Sequence, residues 1–272
     1  MIPLEDNAGD IIGKAQRGLG VSDSEVAERA RVSAEDLRKL RAGHFDELAL
    51  WRIAPVLQLS ARALVDLAQG QWEAPAVRRP GGFAQFNTRY DDMSVNAYLV
   101  WDPKSREAVV FDTGGDCTEM LSRIERERLR VQAILLTHAH PDHIADLARL
   151  RRTVDATVYA PAKEPVRGAE PIEEGKTFRL GALQIESRLT WGHSPGGMTY
   201  LIGGCEPPLA VVGDSLFAGS MGGGNISYEA AVRNNLEKIL TLPDDTIICP
   251  GHGPLTTVAK EKADNPFFAG RI

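Results

Sequence analysis

The apolar run Ala133-Ile134-Leu135-Leu136-Thr137 leads straight into His138-Ala139-His140-Pro141-Asp142-His143. That junction constrains the chain more than any other feature. The run reads as a buried strand, and side chains of an extended loop alternate with period two, so His138 and His140 can point the same way. Asp142 and His143 must then address a neighbouring position. The spacing suits two metal ions side by side better than one closed tetrahedron. Three further pieces arrive at the ends of apolar runs: His193 in TWGHSPGG, Asp214 in LAVVGDS and His252 in IICPGHG. Five of the six histidines thus fall in loops after strands, and only His44 is left as an ordinary polar residue. Imidazole and carboxylate donors suit zinc, iron or manganese. The three cysteines (Cys117, Cys205, Cys249) are scattered with no CxxC spacing, so no structural thiolate site is expected. Reduced thiols point to a cytoplasmic protein.

The pattern changes near residue 75. Residues 1–70 read as a helical module with no strand. Its helices are expected over 11–18, from Ser22, from Ser33, over 46–57 and over 60–68. Ser22 is followed three residues later by Glu25, and Ser33 by Asp36, the spacing of a capping box. Val26, Ala27 and Ala30, then Leu37 and Leu40, recur at helical spacing. Residues 71–82, QWEAPAVRRPGG, form a Pro/Gly/Arg-rich linker. From 83 to 272 strands and helices alternate. SVNAYLVWD and EAVVFDTGG, joined by a turn at 102–105, read as a hairpin. A helix follows at 117–130, a strand at 133–136, and later a helix at 229–240 with Val232, Leu236, Ile239 and Leu240 on one face. The glycines Gly222, Gly223 and Gly224 before it read as a tight turn.

Composition excludes several classes. With 43% hydrophobic and 25% charged residues the chain is neither disordered nor fibrous. No apolar run reaches 18 residues, and the first ten residues, MIPLEDNAGD, are acidic where a signal peptide is basic. Neither membrane insertion nor secretion is expected. The net charge of −6 gives no general attraction to nucleic acid.

The segment GLGVSDSEVAERARVSAEDLRKLRAG resembles the helix-turn-helix of the Cro/repressor family. Charge argues against DNA as its partner. Residues 1–70 carry nine Lys/Arg against eleven Asp/Glu, and the would-be recognition helix opens with Glu35 and Asp36. Binding to phosphates needs the opposite sign. A role in dimerisation, giving a homodimer, or as a cover is the simpler reading.

The motifs H-x-H-x-D-H, G-H-S-P-G, G-D-S and P-G-H-G together resemble the metallo-β-lactamase superfamily, from about residue 83 onward. GDSLFAGSMGG and GHGPLTTVAKEKADNPFF look like its glyoxalase II (hydroxyacylglutathione hydrolase) branch. The resemblance implies an α/β fold, a four-layer αβ/βα sandwich preceded by the small all-α domain. It implies one metal on His138, His140 and His193 and a second on Asp142, His143 and His252, with Asp214 bridging. Two divalent cations, zinc first and iron or manganese next, would share a hydroxide whose pKa falls towards 7. That nucleophile would attack an ester-like carbonyl, with Asp142 orienting it. The motifs supply no spare general acid, which favours a leaving group that departs unprotonated. A thiolate, from a thiol of pKa about 8.5, fits far better than an amine. The expected substrate is a small-molecule thioester, then a lactone or other ester, and β-lactams fit less well. Ser194, Tyr228 and Arg233 are candidate substrate-binding residues. Three features depart from the branch: the stretch Gly219-Ser220-Met221-Gly222-Gly223-Gly224 lacks the usual Gly-Arg pair, the chain stops soon after NPFF, and the helical module lies at the other end, so glutathione specificity is not implied. The competing readings are a mononuclear-iron enzyme resembling persulfide dioxygenases, on His138, His193 and Asp214, and a transcriptional regulator whose metal domain senses a ligand.

Overall fold

A computed structural model describes residues 2–271. Five helices come first. Helix α1 (Ala8–Leu19) starts before the apolar spacing begins because Asn7 caps it, accepting from the amides of Gly9 and Asp10 while Asp10 reciprocates. Helices α2 (Asp23–Ala30) and α3 (Ala34–Arg41) start at Ser22 and Ser33, and both expected capping boxes, to Glu25 and Asp36, are closed. Helices α4 (Glu47–Val56) and α5 (Ala61–Ala68) complete the region. Residues 71–80 form neither helix nor strand.

Two six-stranded sheets follow. The first holds β1 (Phe83–Tyr90), β2 (Met93–Trp101), β3 (Glu107–Phe111), β4 (Arg130–Leu135), β5 (Thr157–Pro161) and β6 (Glu170–Ile172), side by side in chain order. The pairs β1–β2 and β2–β3 are antiparallel, and β3 to β6 run parallel. The parallel connections carry helices α6 (Thr118–Arg126), α7 (Pro141–Ile144) and α8 (Leu147–Thr153). The second sheet holds β7 (Thr177–Leu180), β8 (Leu183–Leu189), β9 (Met198–Gly203), β10 (Leu209–Gly213), β11 (Ile247–Pro250) and β12 (Thr256–Thr257). Its neighbours follow chain order too, antiparallel except for the parallel pair β10–β11. Helix α9 (Tyr228–Asn234) lies between β10 and β11, and α10 (Val258–Asp264) follows β12.

The sheets bury both faces, and the period of two assigns each residue to a layer. Tyr98 and Val100 of β2, Val109 and Phe111 of β3, Tyr200 of β9 and Val211 of β10 meet between the sheets. Leu99 and Trp101, Ala108 and Val110 face outward onto Met120 and Ile124 of α6 and Leu150 of α8. The outer face of the second sheet, with Ala210, Val212 and Ile248, packs in one continuous core with Ile239, Val258 and Phe268 and with Ile11, Ile12, Leu57, Leu64 and Trp72 from the N-terminal region. The result is the four-layer αβ/βα sandwich preceded by a helical region. That region is welded to it through the outer face of the second sheet.

One strand was not anticipated and two local expectations need correction. The strand β1 was not legible beside the linker, because FAQFNTRY is polar enough to hide its alternation; its pairing with β2 decides it. The helix expected over 229–240 is α9 followed by a π-helical turn, Asn235–Ile239, in which Asn235 donates its side-chain amide to the carbonyls of Ser215 and Ala231. Gly222, Gly223 and Gly224 make no turn themselves; the turn comes at residues 225–227. At Gly222 and Gly224 the backbone runs hard against its neighbours: a Cβ on Gly222 would lie 1.8 Å from the Asp214 carbonyl oxygen and 3.1 Å from His193 Nδ1, and one on Gly224 2.4 Å from Tyr228 Cα.

Candidate metal centre

The loops at one edge of the sandwich converge on a single cluster. His138 and His140 follow β4. Asp142 and His143 lie on α7, whose first residue is Pro141, so the second half of the motif is a short helix started by a proline rather than extended loop. His193 lies between β8 and β9, Asp214 directly after β10 and His252 after β11. The structure brings all seven together in two adjoining groups. His138, His140, His193 and Asp214 each offer a donor atom within 4.8 Å of the others, and so do Asp142, His143 and His252.

Asp214 faces both groups. Its Oδ2 lies 3.3 Å from His193 Nε2 and 3.5 Å from His252 Nε2, and its Oδ1 lies 3.3 Å from His143 Nε2. Asp142 Oδ2 lies 3.2 Å from His252 Nε2 and 3.5 Å from His143 Nε2. On the other side His140 Nδ1 stands 3.0 Å from His138 Nε2 and 3.1 Å from His193 Nε2. Gly251 makes the approach feasible, since a Cβ there would sit 2.1 Å from Asp214 Oδ1.

The rear nitrogen of four histidines is tied down. His143 Nδ1 meets Asp112 Oδ2 at 2.8 Å, His252 Nδ1 the Ser94 carbonyl at 2.7 Å, His193 Nδ1 the Gly223 carbonyl at 3.0 Å, and His138 Nδ1 the Thr137 hydroxyl at 3.0 Å. A proton held on Nδ1 by a carboxylate or carbonyl leaves the Nε2 lone pair free to face the centre, the arrangement that orients a metal-binding imidazole. Asp112 also accepts from the Thr137 amide and hydroxyl, both at 2.7 Å. Glu164 is the second brace. It accepts from the Ala139 amide, between two motif histidines, and from Ser194 Oγ and the Gly196 amide beyond His193.

The electrostatics call for positive charge at the centre. Burial works against the cationic form of His143, yet Asp214 and Asp112 push its titration up to about 10. Burial likewise opposes charging of His252, but Asp214 and Asp142 push it up to about 11. His138 is held well below the ordinary imidazole range by burial and by His143, and His193 is lowered by burial. Asp214 is held far below the usual carboxylate range; burial alone would raise it, and the surrounding imidazoles overcome that. Buried His143 Nε2 and Asp214 Oδ1 face each other without a hydrogen-bond partner. Such orphaned polar atoms are costly unless something else satisfies them. Oxygen and nitrogen donors converging in two adjoining sets fit divalent cations on these grounds.

The candidate substrate residues fare differently. Ser194 is buried beside His193, its hydroxyl donated to Glu164 at 2.6 Å. Tyr228 and Arg233 do not join the cluster. They line a separate cavity of about 450 Å³ with Gly18, Leu19 and Arg271, because the Tyr228 ring packs on Gly18 of α1. His44 is exposed and outside both donor groups, as expected. Sequence reasoning missed Asp112 and Glu164. Asp112 did carry a signal, an acid at the end of an apolar strand like Asp214, whereas nothing local marks Glu164.

Comparison with known proteins agrees with this architecture. The family description Metallo-beta-lactamase superfamily matches residues 90–252. The "Probable metallo-hydrolase YqgX" of Bacillus subtilis is 34% identical over 204 residues, covering 65% of this chain and 94% of that protein. "Hydroxyacylglutathione hydrolase GloC" of Haemophilus influenzae is 29% identical over 198 residues, covering 64% of this chain and 92% of that protein. Among solved structures, BLEG-1 B3 metallo-beta-lactamase superposes with a TM-score of 0.62 at 32% identity, covering 69% of this chain and all of that one. TTHA1623 in a di-iron-bound form superposes with a TM-score of 0.54 at 30% identity, covering 67% of this chain and 100% of that one. The chain therefore belongs to the metallo-beta-lactamase superfamily, a family of divalent-metal-binding enzymes that includes metallo-hydrolases.

Proposed function

We propose that this protein hydrolyses a small-molecule thioester at a binuclear centre, in the manner of the glyoxalase II-like branch. The observation that carries the reading is the pair of adjoining donor groups with Asp214 reaching into both. His138, His140 and His193 would hold one cation, Asp142, His143 and His252 the other, with Asp214 between them. Two divalent cations there, zinc by preference and iron or manganese as alternatives, would acidify a shared water and polarise a carbonyl oxygen.

The chain's own residues do the rest. Asp112 and the carbonyls of Ser94 and Gly223 keep the Nδ1 protons of His143, His252 and His193 on the far side of the rings. Asp142, at the edge between His143 and His252, would accept a hydrogen bond from the attacking water or hydroxide and so orient it while ligating. The motif side chains are all committed as donors to the centre, which leaves none to protonate a departing amine. A thiolate leaves without that help, and this places thioesters first, lactones and other esters next. The relative named hydroxyacylglutathione hydrolase supports the same chemistry.

The deciding measurement is metal content per chain in protein purified without a metal-chelating tag, followed by a thiol-release assay on thioesters. Two equivalents of metal and release abolished in Asp214→Ala support the reading. Full activity in Asp214→Ala overturns the binuclear centre. One equivalent of iron with oxygen consumption on a persulfide replaces hydrolysis by sulfur oxidation.

A further inference from the structure

The metal donors on the second sheet are not held by that sheet alone. The loop after Asp214 turns back through Gly219, Ser220 and Met221 before Gly222 backs onto Asp214 and the Gly223 carbonyl meets His193 Nδ1. Three peptide groups of that turn are gripped from outside. The Gly219 amide donates to Glu261 and the Ser220 carbonyl accepts from Asn265, both near the C-terminus. The Met221 carbonyl accepts from Lys14 Nζ of α1 at 3.0 Å. Lys14 is only 15% exposed, pairs with Asp6 Oδ2 at 2.5 Å and lies 4.9 Å from the centre of the Phe217 ring, which in turn meets His252 edge-on at 5.7 Å. Ser220 Oγ donates to the same Asp6 oxygen at 2.6 Å. The neighbouring Glu5 places a carboxylate oxygen 3.9 Å from His252 Nδ1.

Asp6 and Lys14 lie outside the family match, which begins at residue 90. They belong to the helical region, and they act on the one loop whose carbonyl orients His193. We propose that Lys14 and Asp6 are positioning residues of the metal centre: by fixing the loop from Ser220 to Gly223 they set how tightly the His138/His140/His193 position takes a cation. The helical region is then a working part of the centre and not an appendage to it. This inference rests on the reading of the two donor groups as cation sites. Without the ammonium group, the Met221 carbonyl loses its charged partner and Asp6 keeps an unbalanced charge, so the loop relaxes and the Gly223 carbonyl leaves His193 Nδ1.

The test titrates chelator-stripped, full-length protein with Zn²⁺ and Co²⁺ against a chromophoric chelator. The wild-type chain is expected to take two cations. In Lys14→Met one of them binds about 10–100-fold more weakly, the size of effect that outer partners of metal ligands carry. The other, at Asp142, His143 and His252, changes by less than about threefold, and the Co²⁺ absorption of the weakened position shifts. Lys14→Arg restores both. Thermal melting of the stripped variant reports whether the fold survives, and Ser220→Ala, which removes a single hydroxyl from the same clamp, gives a milder loss at the same position if Lys14→Met does not fold. Wild-type affinity and unchanged Co²⁺ spectra in these variants overturn the clamp, as does an equal loss at both positions. A wild-type chain that binds no cation at all removes the metal reading itself, a result separate from either.

Discussion

Asp112 shows how much of the centre depends on one side chain that contacts no cation position. It sits at φ 55°, in the left-handed region that asparagine and aspartate tolerate better than most residues. From there it accepts three hydrogen bonds, two from Thr137 and one from His143. Asp112→Asn preserves the backbone preference and nearly the same shape, but it offers an amide nitrogen where the His143 ring needs an acceptor. The ring then favours the tautomer with its proton on Nε2, facing the centre. Affinity at the Asp142/His143/His252 position is expected to fall about 10–100-fold, and the stripped protein to melt lower, because the buried His143 loses the carboxylate that favours its charged form. Chelator competition measures the first and thermal denaturation the second. An unchanged affinity would show that Asp112 is structural only.

At the scale of elements, α10 carries an acid that works against the fold as pH rises. Glu261 is completely buried and accepts from the Gly219 amide, Thr256 Oγ1 and Asn265 Nδ2. Burial outweighs those three bonds and pushes its titration from 4.5 up to about 7. Between those two values the unfolded chain has lost the proton while the folded chain keeps it. The folded state binds more protons, so this group's contribution falls with rising pH, and its cost is complete above about 7. Glu261→Gln can keep an oxygen toward Gly219 and Asn265 and turn its amide toward the Thr256 hydroxyl, without a charge. The variant is expected to match the wild type at pH near 5 and to exceed it by on the order of 1–3 kcal/mol at pH near 8. Denaturation of stripped protein at the two pH values measures this, and parallel pH profiles would remove the assignment.

For the whole molecule, the decisive fact is that the helical region and the second sheet share one core. Ile11, Ile12, Leu57, Leu64 and Trp72 cover Ala210, Val212, Ile239, Ile248 and Phe268, so removal of residues 1–75 would bare a continuous apolar face. The shortened chain is expected to aggregate or to bind metal poorly, with size-exclusion chromatography and metal content as the measurements. A soluble fragment with wild-type metal content would show the sandwich to be self-sufficient. The surface of the would-be recognition helix bears on its role at the same scale. Lys39 pairs with Glu35 at 2.9 Å and Arg41 with Asp23 at 2.6 Å, leaving little unbalanced positive charge for phosphates.

Local and periodic features were readable along the chain. Ser22 and Ser33 each announce a helix start through an acid three residues on, and both boxes closed as expected. The alternation of β2 and β3 sorts their residues into layers, and the histidine motif declares its chemistry because few spacings place so many donors at one strand end. Seven donor residues were legible for that reason, and the structure gathers all seven. The remaining features depend on contacts between residues far apart in the chain. Lys14 and Met221 are 207 residues apart, and Glu164 reaches 30 residues to Ser194. No local pattern records such pairs. They follow from which apolar faces pack together, a sum over many weak contacts that places a lysine of the helical region against the loop behind His193.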